Sequence, residues 1–405
     1  MIALKEIIKA KENLKNIINP TPFAYAPILS SEFGANVYLK KENLQLTGAY
    51  KIRGAYNKIA SLTKSEKQKG VIAASAGNHA QGVAYSAKSF GVKATIIMPE
   101  ATPLLKVLNT KSLGAEVILK GENYDEAYLY AQQFAKENDL VFIHPFEDDK
   151  VIAGQGSIAL EMFDEIKDLN IVVVPVGGGG LISGVGSAIK QIKPDTKVIG
   201  VVSCGANAML NSYRAKKPLD SLSVKTIADG IAVRDVSEKN LKYILEVVDD
   251  IVEVDDEEIA NAILFLLEKQ KLVVEGGGAV GVAALMHKKF DFKLEDKVGI
   301  ILSGGNIDVQ MLSLIIEKGL IKSHRKMKLI VTLIDKPGSL MKLTDIFRDL
   351  SANIIQIGYD RTSTKLSYGD ANVTLALETK GQEHQEQIRQ KLNKEGYKFL
   401  EEMRV

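Results

Sequence analysis

The chain has 405 residues, of which 46% are hydrophobic and 25% charged, the balance of a soluble globular protein with two or three domains. Its 52 basic and 50 acidic residues leave a net charge of +2, which gives no electrostatic reason to expect nucleic acid or an acidic membrane as a partner. No apolar run has the roughly 20 residues of a membrane-spanning helix, and the single cysteine, Cys204, excludes an intrachain disulfide and favours a reducing cytoplasm.

Short apolar runs alternate with helical patterns along residues 1–322, beginning with an amphipathic helix at the amino terminus. Residues 70–99 and 170–202 each predict a strand, a glycine turn, a helix and a strand, and residues 296–308 add another strand with a glycine turn. Their unbroken Val, Ile and Ala runs are typical of parallel strands covered on both faces. We therefore predict an open α/β sheet, whose ligands bind beyond the carboxyl ends of the strands.

The segment "TGAYKIRGAYNKI" places Lys51 among small and apolar residues, between Gly48 and Gly54. A desolvated lysine has a lowered pKa and forms Schiff bases with aldehydes. The ordinary alternative is a lysine that extends from a helix face into solvent. We expect three nearby lysines, Lys40, Lys41 and Lys58, to extend into solvent in this ordinary way.

The segment "PVGGGGLISGVG" follows a predicted strand and opens a predicted helix, so its N–H groups can converge on an anion. It lacks the Gly-Lys-Ser/Thr ending of a nucleotide loop and the downstream acidic residue of a dinucleotide site. The remaining candidate ligand is a single phosphate on a compact cofactor. The alternative is that the segment is a flexible turn without a ligand. Together with Lys51, the loop suggests pyridoxal 5′-phosphate. The five histidines show no metal-ligand spacing, so no metal is predicted.

The pattern changes after residue 322. Residues 323–328, "SHRKMK", have the polar character of a linker between a domain at 1–322 and a second domain at 329–405. The second domain predicts the order β-α-β-β-α-β of a ferredoxin-like α+β fold.

Five segments carry a family resemblance. "TGAYKIRGA", "SAGNHAQG", "PVGGGGL", "VEGGGAVG" and "LSGGNID" resemble, in order, the signatures of fold-type II pyridoxal-phosphate enzymes, which have the tryptophan synthase β-like fold with two open parallel-sheet subdomains. They are most similar to the threonine ammonia-lyase (threonine dehydratase) and serine dehydratase branch. This resemblance implies β-elimination of L-threonine to 2-oxobutanoate and ammonia, with some conversion of L-serine to pyruvate. The carboxy-terminal module resembles an ACT domain, an amino-acid-sensing unit.

The resemblance also implies roles for individual residues. Lys51 would carry the cofactor and later remove the substrate Cα proton, Asn78 would bind the ring hydroxyl, and Ser303 would face the pyridine nitrogen. The phosphate would be bound by Gly177, Gly178, Gly179, Gly180 and Leu181. The substrate carboxylate would be held by the turn formed by Ser75, Ala76, Gly77 and His79.

Each role has a structural alternative. Asn78 could cap the following helix, Ser303 could be a turn residue, and the His79 side chain favours a structural hydrogen bond over acid–base work. Glu275 has apolar and glycine neighbours and is expected near the cofactor ring, with no chemistry assigned. Tyr50 stands where the family more often has phenylalanine.

Two further features bear on the reaction. A serine opposite the ring nitrogen favours elimination or replacement over transamination, which relies on an acidic partner. Racemases of the family carry a second serine where this chain has Ala76, and acidic metal ligands where this chain has Val201 to Met209, a stretch without a carboxylate. Racemisation and a divalent-metal site are therefore disfavoured.

The resemblance to ACT domains implies an isoleucine or valine effector and a homodimer or homotetramer. The effector-facing positions would be Asp335, Pro337, Gly338, Leu340 and Asn353. The alternative for "DKPG" is a tight turn without a ligand.

Other functions remain open at this stage. An L-serine dehydratase or a β-replacement synthase of the cysteine synthase type would share the fold and Lys51. A non-catalytic amino-acid sensor is opposed by the intact Lys51, Asn78 and Ser303. The sequence does not choose between isoleucine biosynthesis and threonine breakdown.

Overall fold

The computed structural model describes residues 1–401, and the chain forms two compact units that meet in sequence at Asp308 and Val309. The strands of the first unit are β1 (Phe23–Tyr25), β2 (Asn36–Lys40), β3 (Val71–Ala74), β4 (Ala94–Met98), β5 (Glu116–Leu119), β6 (Val141–Phe142), β7 (Ile171–Pro175), β8 (Lys197–Ser203), β9 (Asp250–Val254) and β10 (Lys297–Ile301). Its α-helices are α1 (Leu4–Leu14), α2 (Pro27–Phe33), α3 (Lys51–Ala60), α4 (Lys64–Lys69), α5 (Asn78–Ser89), α6 (Leu104–Ser112), α7 (Tyr124–Glu137), α8 (Asp149–Glu165), α9 (Gly180–Ile192), α10 (Ala208–Ala215), α11 (Glu238–Val247), α12 (Asp256–Phe265) and α13 (Gly276–Met286).

The first unit contains two sheets. One has the strand order β1-β2-β10-β7-β8-β9 and is parallel except for β1, which pairs antiparallel with β2. The other has the order β5-β4-β3-β6 and is fully parallel. Every residue of β3, β4 and β7 is buried, which explains their unbroken apolar runs. The predicted α/β architecture with two open parallel-sheet subdomains is confirmed.

The predicted glycine turns follow β3, β7 and β10. Since β7 and β10 are neighbours in one sheet, two of the three turns meet at the same edge. The third turn, in the other sheet, leads into α5. These carboxyl ends are where an open α/β sheet binds its ligands.

Glycines allow helices α3, α8 and α9 to approach closely. A Cβ on Gly184 of α9 would lie 2.3 Å from the carbonyl oxygen of Ile152 on α8. A Cβ on Gly154 of α8 would lie 2.5 Å from the carbonyl oxygen of Arg53 on α3. This close packing fixes α3, and with it Lys51, against the central helices.

The interpretation of Lys40 as a solvent-directed lysine is wrong. Lys40 is 1% exposed, and its amine donates to Glu161 at 2.5 Å and to the Thr21 carbonyl at 2.7 Å. Arg53 is fully buried and binds both Glu42 and Glu161. The two cations, Lys40 and Arg53, are therefore balanced by two carboxylates. Buried charges persist only when they are paired in this way. The cluster joins β2, α3 and α8 close to the start of the helix that carries Lys51.

The second unit contains β11 (Lys326–Ile334), β12 (Asn353–Asp360), β13 (Asp370–Glu378), β14 (Lys398–Glu401), α14 (Val309–Lys322), α15 (Ser339–Asp349) and α16 (Gln382–Lys394). Its antiparallel sheet has the order β12-β13-β11-β14. Alternate residues of β11 are buried, as expected when helices cover one sheet face. From β11 onward the order β-α-β-β-α-β matches the predicted ferredoxin-like plan. Because β11 begins at Lys326, the last three residues of the predicted linker lie in a strand; the domain limits themselves stay a prediction.

Two negative findings concern the part of the chain that the structure describes. None of its helices combines the length and the apolar character needed to traverse a bilayer. No group of three or more His, Cys, Asp or Glu side chains within residues 1–401 is arranged to hold a metal ion.

Candidate active site

Lys51 is the first residue of α3, and its amine donates a hydrogen bond of 3.0 Å to the carbonyl oxygen of Pro145. Burial lowers the pKa of the Lys51 amine to about 8, although the Glu275 carboxylate opposes this shift. The ring centroid of Tyr50 lies 5.4 Å from the amine. Burial, and then the Glu275 charge, raise the pKa of the Tyr50 hydroxyl, which therefore stays neutral. The environment gives the lysine an appreciable fraction of free amine near neutral pH.

The glycines on either side of Lys51 accommodate protein atoms. A Cβ on Gly54 would lie 2.3 Å from the Gln155 side chain, because α8 packs there. Gly48 has a φ of +70°, and a Cβ on it would lie 2.4 Å from the side-chain oxygen of Asn306. Tight packing around the lysine is the physical reason for both glycines.

The segment before Lys51 is tied to the end of β10. The Tyr50 N–H donates to the Ser303 carbonyl at 3.0 Å, and Ala49 forms an isolated bridge with Gly304. Ser303 is 4% exposed and lies two residues beyond the end of β10. The carboxyl end of a parallel strand is where an open α/β sheet binds its ligands.

The four-glycine loop packs closely against two neighbouring segments. A Cβ on Gly178 would lie 2.5 Å from ring carbons of Phe146, and the Gly178 carbonyl accepts from Asn240 at 2.6 Å. Gly179 has a φ of +86°, a conformation that favours glycine, and α9 begins at the next residue. The backbone N–H groups of residues 177–181 donate to no acceptor in the described chain. Free donors at a helix N-terminus suit an anion, and the close packing argues against a flexible turn.

Two consecutive residues bring the lysine and the loop together. The Pro145 carbonyl accepts from the Lys51 amine, while the next residue, Phe146, packs its ring on Gly178. The Phe146 carbonyl in turn accepts from Asn240 at 2.9 Å. Neither this segment nor Asn240 is predicted from the sequence, because nothing in their local pattern marks them.

Asn78 begins α5 without capping it. The N-cap position is Gly77, and no side chain caps the helix. Instead, the Asn78 amide donates to Glu275 at 2.7 Å and accepts from Asn306 at 2.7 Å. The capping alternative is therefore wrong, and the amide lies among polar groups from the other sheet.

Glu275 precedes α13 and is 4% exposed. Burial, reinforced by the Asp229 charge, raises the pKa of its carboxyl to about 7, although the Asn78 hydrogen bond works in the opposite direction. A Cβ on Gly304 would lie 2.3 Å from the Glu275 oxygen, and one on Gly230 would lie 3.1 Å from it. The carboxyl thus occupies space that only glycine neighbours leave free.

The turn expected to hold the substrate carboxylate lies at the N-terminus of α5. The Ser75 hydroxyl accepts from the Gly77 N–H at 3.2 Å, and nothing in the described chain lies within 4 Å of a Cβ built on Gly77. Ala76 is partly exposed beside it. The buried His79 ring bonds the Ile143 carbonyl at 2.8 Å through Nε2. Burial, and then the Lys51 charge, lower the pKa of His79 to about 3, so its side chain is a neutral structural group.

The residues expected to face an effector lie around the first turn of the second unit. Asp335 accepts from the Tyr359 hydroxyl at 2.8 Å and also pairs with Arg361. Pro337 and Gly338, with a φ of +87°, lead into α15, where Leu340 is half-buried. Asn353 opens β12 and donates to Glu378 at 3.3 Å.

The residues of the first unit fit pyridoxal 5′-phosphate. The free N–H groups of the loop suit its phosphate, the Lys51 amine of lowered pKa suits its aldehyde, and the neutral, buried Ser303 hydroxyl suits its ring nitrogen. The fold and these groups indicate the class of protein: an open α/β enzyme that uses pyridoxal phosphate.

Comparison with known proteins agrees with this class. The family model described as "Pyridoxal-phosphate dependent enzyme" matches residues 14–304. The chain belongs to the family of pyridoxal-phosphate-dependent enzymes. It is 49% identical over 397 residues to an L-threonine ammonia-lyase of Thermotoga maritima, an alignment that covers 98% of each chain.

Solved structures of similar proteins include two different activities. The processed form of threonine deaminase isoform 2 from Solanum lycopersicum superposes with a TM-score of 0.73 at 37% identity, covering 77% of this chain and 88% of that one. Maize serine racemase superposes with a TM-score of 0.74 at 33% identity, covering 80% of this chain and 99% of that one. The fold alone therefore does not choose the reaction.

Proposed function

We propose that this chain deaminates L-threonine by β-elimination, giving 2-oxobutanoate and ammonia, and that it accepts L-serine as a lesser substrate. The observation that carries the proposal is the Lys51 amine, whose pKa is lowered to about 8, connected through Pro145 and Phe146 to a loop of free N–H donors. The similarity to an L-threonine ammonia-lyase over nearly the whole chain supports threonine as the substrate.

Lys51 has two tasks in this scheme. When bound, pyridoxal phosphate supplies an aldehyde that condenses with amines and a ring that withdraws electrons from the substrate Cα. As a free amine, the Nζ of Lys51 would accept the substrate Cα proton as a general base. A base with a pKa of about 8 is matched to proton transfer near neutral pH.

Other residues orient the reaction. The N–H groups of residues 177–181 would hold the phosphate, and Asn78 would donate to the ring hydroxyl. The neutral Ser303 hydroxyl would face the ring nitrogen and avoid the charge build-up that favours transamination. The turn formed by Ser75, Ala76, Gly77 and the N–H of His79 receives the substrate carboxylate at the N-terminus of α5.

Racemisation is disfavoured despite the similarity to a serine racemase. Reprotonation from the opposite face of the cofactor needs a proton-carrying side chain, and the methyl group of Ala76 carries none. The same residue opposes a racemase without excluding a serine dehydratase.

The test is a steady-state assay of 2-oxo acid release from threonine and from serine. We expect turnover of both, with threonine preferred, and loss of turnover and of the visible cofactor band in Lys51→Ala. Lys58→Ala is the matched control, since Lys58 lies on the same helix and pairs with Asp148 at 2.6 Å. A β-replacement synthase would release no oxo acid from threonine alone, and that result would overturn the proposal.

We also propose that the second unit is an ACT-like regulatory domain that binds isoleucine or valine around Asp335, Pro337, Gly338, Leu340 and Asn353. Its β-α-β-β-α-β order and the turn before α15, where a Cβ on Gly338 would meet no other atom within 4 Å, support this. Regulation of this kind requires an effector that binds two states with different affinity, commonly by about 1–3 kcal/mol.

Equilibrium dialysis with labelled isoleucine and valine tests the regulatory site. We expect saturable binding that Asn353→Ala weakens and Arg348→Ala, on an exposed part of α15, leaves unchanged. Absence of saturable uptake of either amino acid at millimolar concentration would contradict the assignment.

Three further properties complete the proposal: a homodimer or homotetramer, a cytoplasmic location, and a place in isoleucine biosynthesis. Symmetric pairing is the commonest state of oligomeric enzymes, and a single cysteine suits a reducing compartment. Light scattering would test the oligomeric state. Feedback inhibition by isoleucine would support the biosynthetic role, and activation by a different metabolite would oppose it.

A further inference from the structure

Three consecutive hydrogen bonds connect the loop before Lys51 to Glu275. The Asn306 amide nitrogen donates to the Thr47 carbonyl at 2.8 Å and to the Asn78 amide oxygen at 2.7 Å. The Asn78 amide nitrogen then donates to the Glu275 carboxylate at 2.7 Å. The series crosses from the six-stranded sheet subdomain, which contributes Glu275 and Asn306, to α5 of the four-stranded one.

The Thr47 end of this series determines the orientation of both amides. A backbone carbonyl accepts hydrogen bonds and donates none. Asn306 must therefore present its nitrogen to Thr47, which leaves a donor for the Asn78 oxygen. Asn78 must in turn present its nitrogen to Glu275. Reversing Asn306 would place its oxygen against the Thr47 carbonyl oxygen, and reversing Asn78 would place its NH₂ group against that of Asn306, so only one arrangement satisfies all three bonds.

The Glu275 carboxyl is held in a position where it accepts the Asn78 hydrogen bond. It is 4% exposed, and a Cβ on Gly230 or Gly304 would come within 3.1 Å or 2.3 Å of its oxygen. The backbone N–H of Glu275 also donates to the Gly304 carbonyl at 3.0 Å. Gly304 directly follows Ser303, so the acceptor for Asn78 is anchored beside the expected partner of the cofactor ring nitrogen.

We infer that Glu275 and Asn306 are positioning residues that hold the Asn78 amide with its nitrogen directed as a donor toward the cofactor ring. This inference rests on the proposed role of Asn78. An amide nitrogen has two hydrogens; one is used by Glu275, and the other remains for the ring oxygen. The donated bond stabilises the ionised form of that oxygen, whereas a reversed amide would destabilise it.

The experiment compares absorption spectra of purified, cofactor-loaded protein at fixed pH. The ratio of the two cofactor bands reports whether the ring oxygen is ionised or protonated. In Glu275→Met, combined with Asn306→Leu, both anchors of Asn78 are removed, and we expect the ionised-to-protonated ratio to fall about tenfold, the factor that corresponds to one hydrogen bond. Glu275→Met alone should give a smaller fall, because Asn306 still holds the amide.

Two control variants separate positioning from general destabilisation. Glu275→Gln keeps an oxygen that accepts from Asn78, so it should restore the wild-type ratio within about twofold. Asp255→Ala removes the cap of α12, a change that typically destabilises a helix, and should leave the ratio unchanged.

Each result has a defined meaning. An unchanged ratio in the double variant, with the cofactor still bound, would overturn the inference and leave the proposed function intact. The same would follow if Glu275→Gln changed the ratio as much as Glu275→Met. Absence of a Lys51-dependent visible band in the wild-type protein would instead overturn the proposed function.

Discussion

The lowered pKa of Lys51 can be measured without any cofactor or substrate. Competitive acetylation of the apoprotein over a range of pH, followed by peptide mass spectrometry, gives a titration curve for each lysine. Only the neutral amine reacts, so labelling rises with pH through the pKa of that lysine. Limited access to a buried amine lowers the plateau of the curve but leaves its midpoint unchanged.

The expected effect is large. At about pH 7.5 an amine with a pKa of about 8 is roughly 24% neutral, and one with an ordinary lysine pKa of 10.5 roughly 0.1%, a difference of roughly 240-fold. We expect a midpoint near 8 for Lys51. Lys391 is a suitable reference within the same protein, because its hydrogen bond to Glu395 and the charge of that carboxylate raise the pKa of its amine above the ordinary value.

Glu275→Gln provides an internal check on the cause. The Glu275 carboxylate raises the pKa of Lys51 against the effect of burial, so its removal should lower the Lys51 midpoint further. A midpoint near 10.5 in the wild-type protein, or an upward shift in Glu275→Gln, would refute the explanation by desolvation.

Three other substitutions, each followed by urea unfolding, test the packing and the charges around the site. Gly178→Ala places a Cβ 2.5 Å from the Phe146 ring, so overpacking should cost about 1–3 kcal/mol and weaken cofactor binding in a titration. Gly184→Ala directs a Cβ to within 2.3 Å of a backbone oxygen of α8 and should destabilise the first unit by at least as much, since a backbone atom moves less readily than a ring. Arg53→Met leaves the fully buried Glu42 without its main partner and should cost about 3–5 kcal/mol. A loss below about 0.5 kcal/mol in any of the three, the range of ordinary surface substitutions, would contradict the packing or the charge pairing assigned there.

The order of elements near the site could be predicted because it depends on neighbouring residues. Unbroken apolar runs marked β3, β4, β7, β8 and β10, and glycines marked the turns that follow three of them. Alternating residues likewise marked β13 in the second unit. Period and turn chemistry are local properties, so the chain alone carries them.

The polar contacts depended on residues far apart in the chain. Lys40 has the sequence neighbours of a surface lysine, yet Glu161, 121 positions away, gives it a buried partner. Asn78 and Glu275 are separated by 197 positions, and Asn78 and Asn306 by 228. No periodicity links residues at such distances. The sequence by itself therefore determined the strands, the turns and the choice of Lys51 as the candidate nucleophile. Only the packing of the tertiary structure decided which buried charges were paired and how the Asn78 amide was oriented.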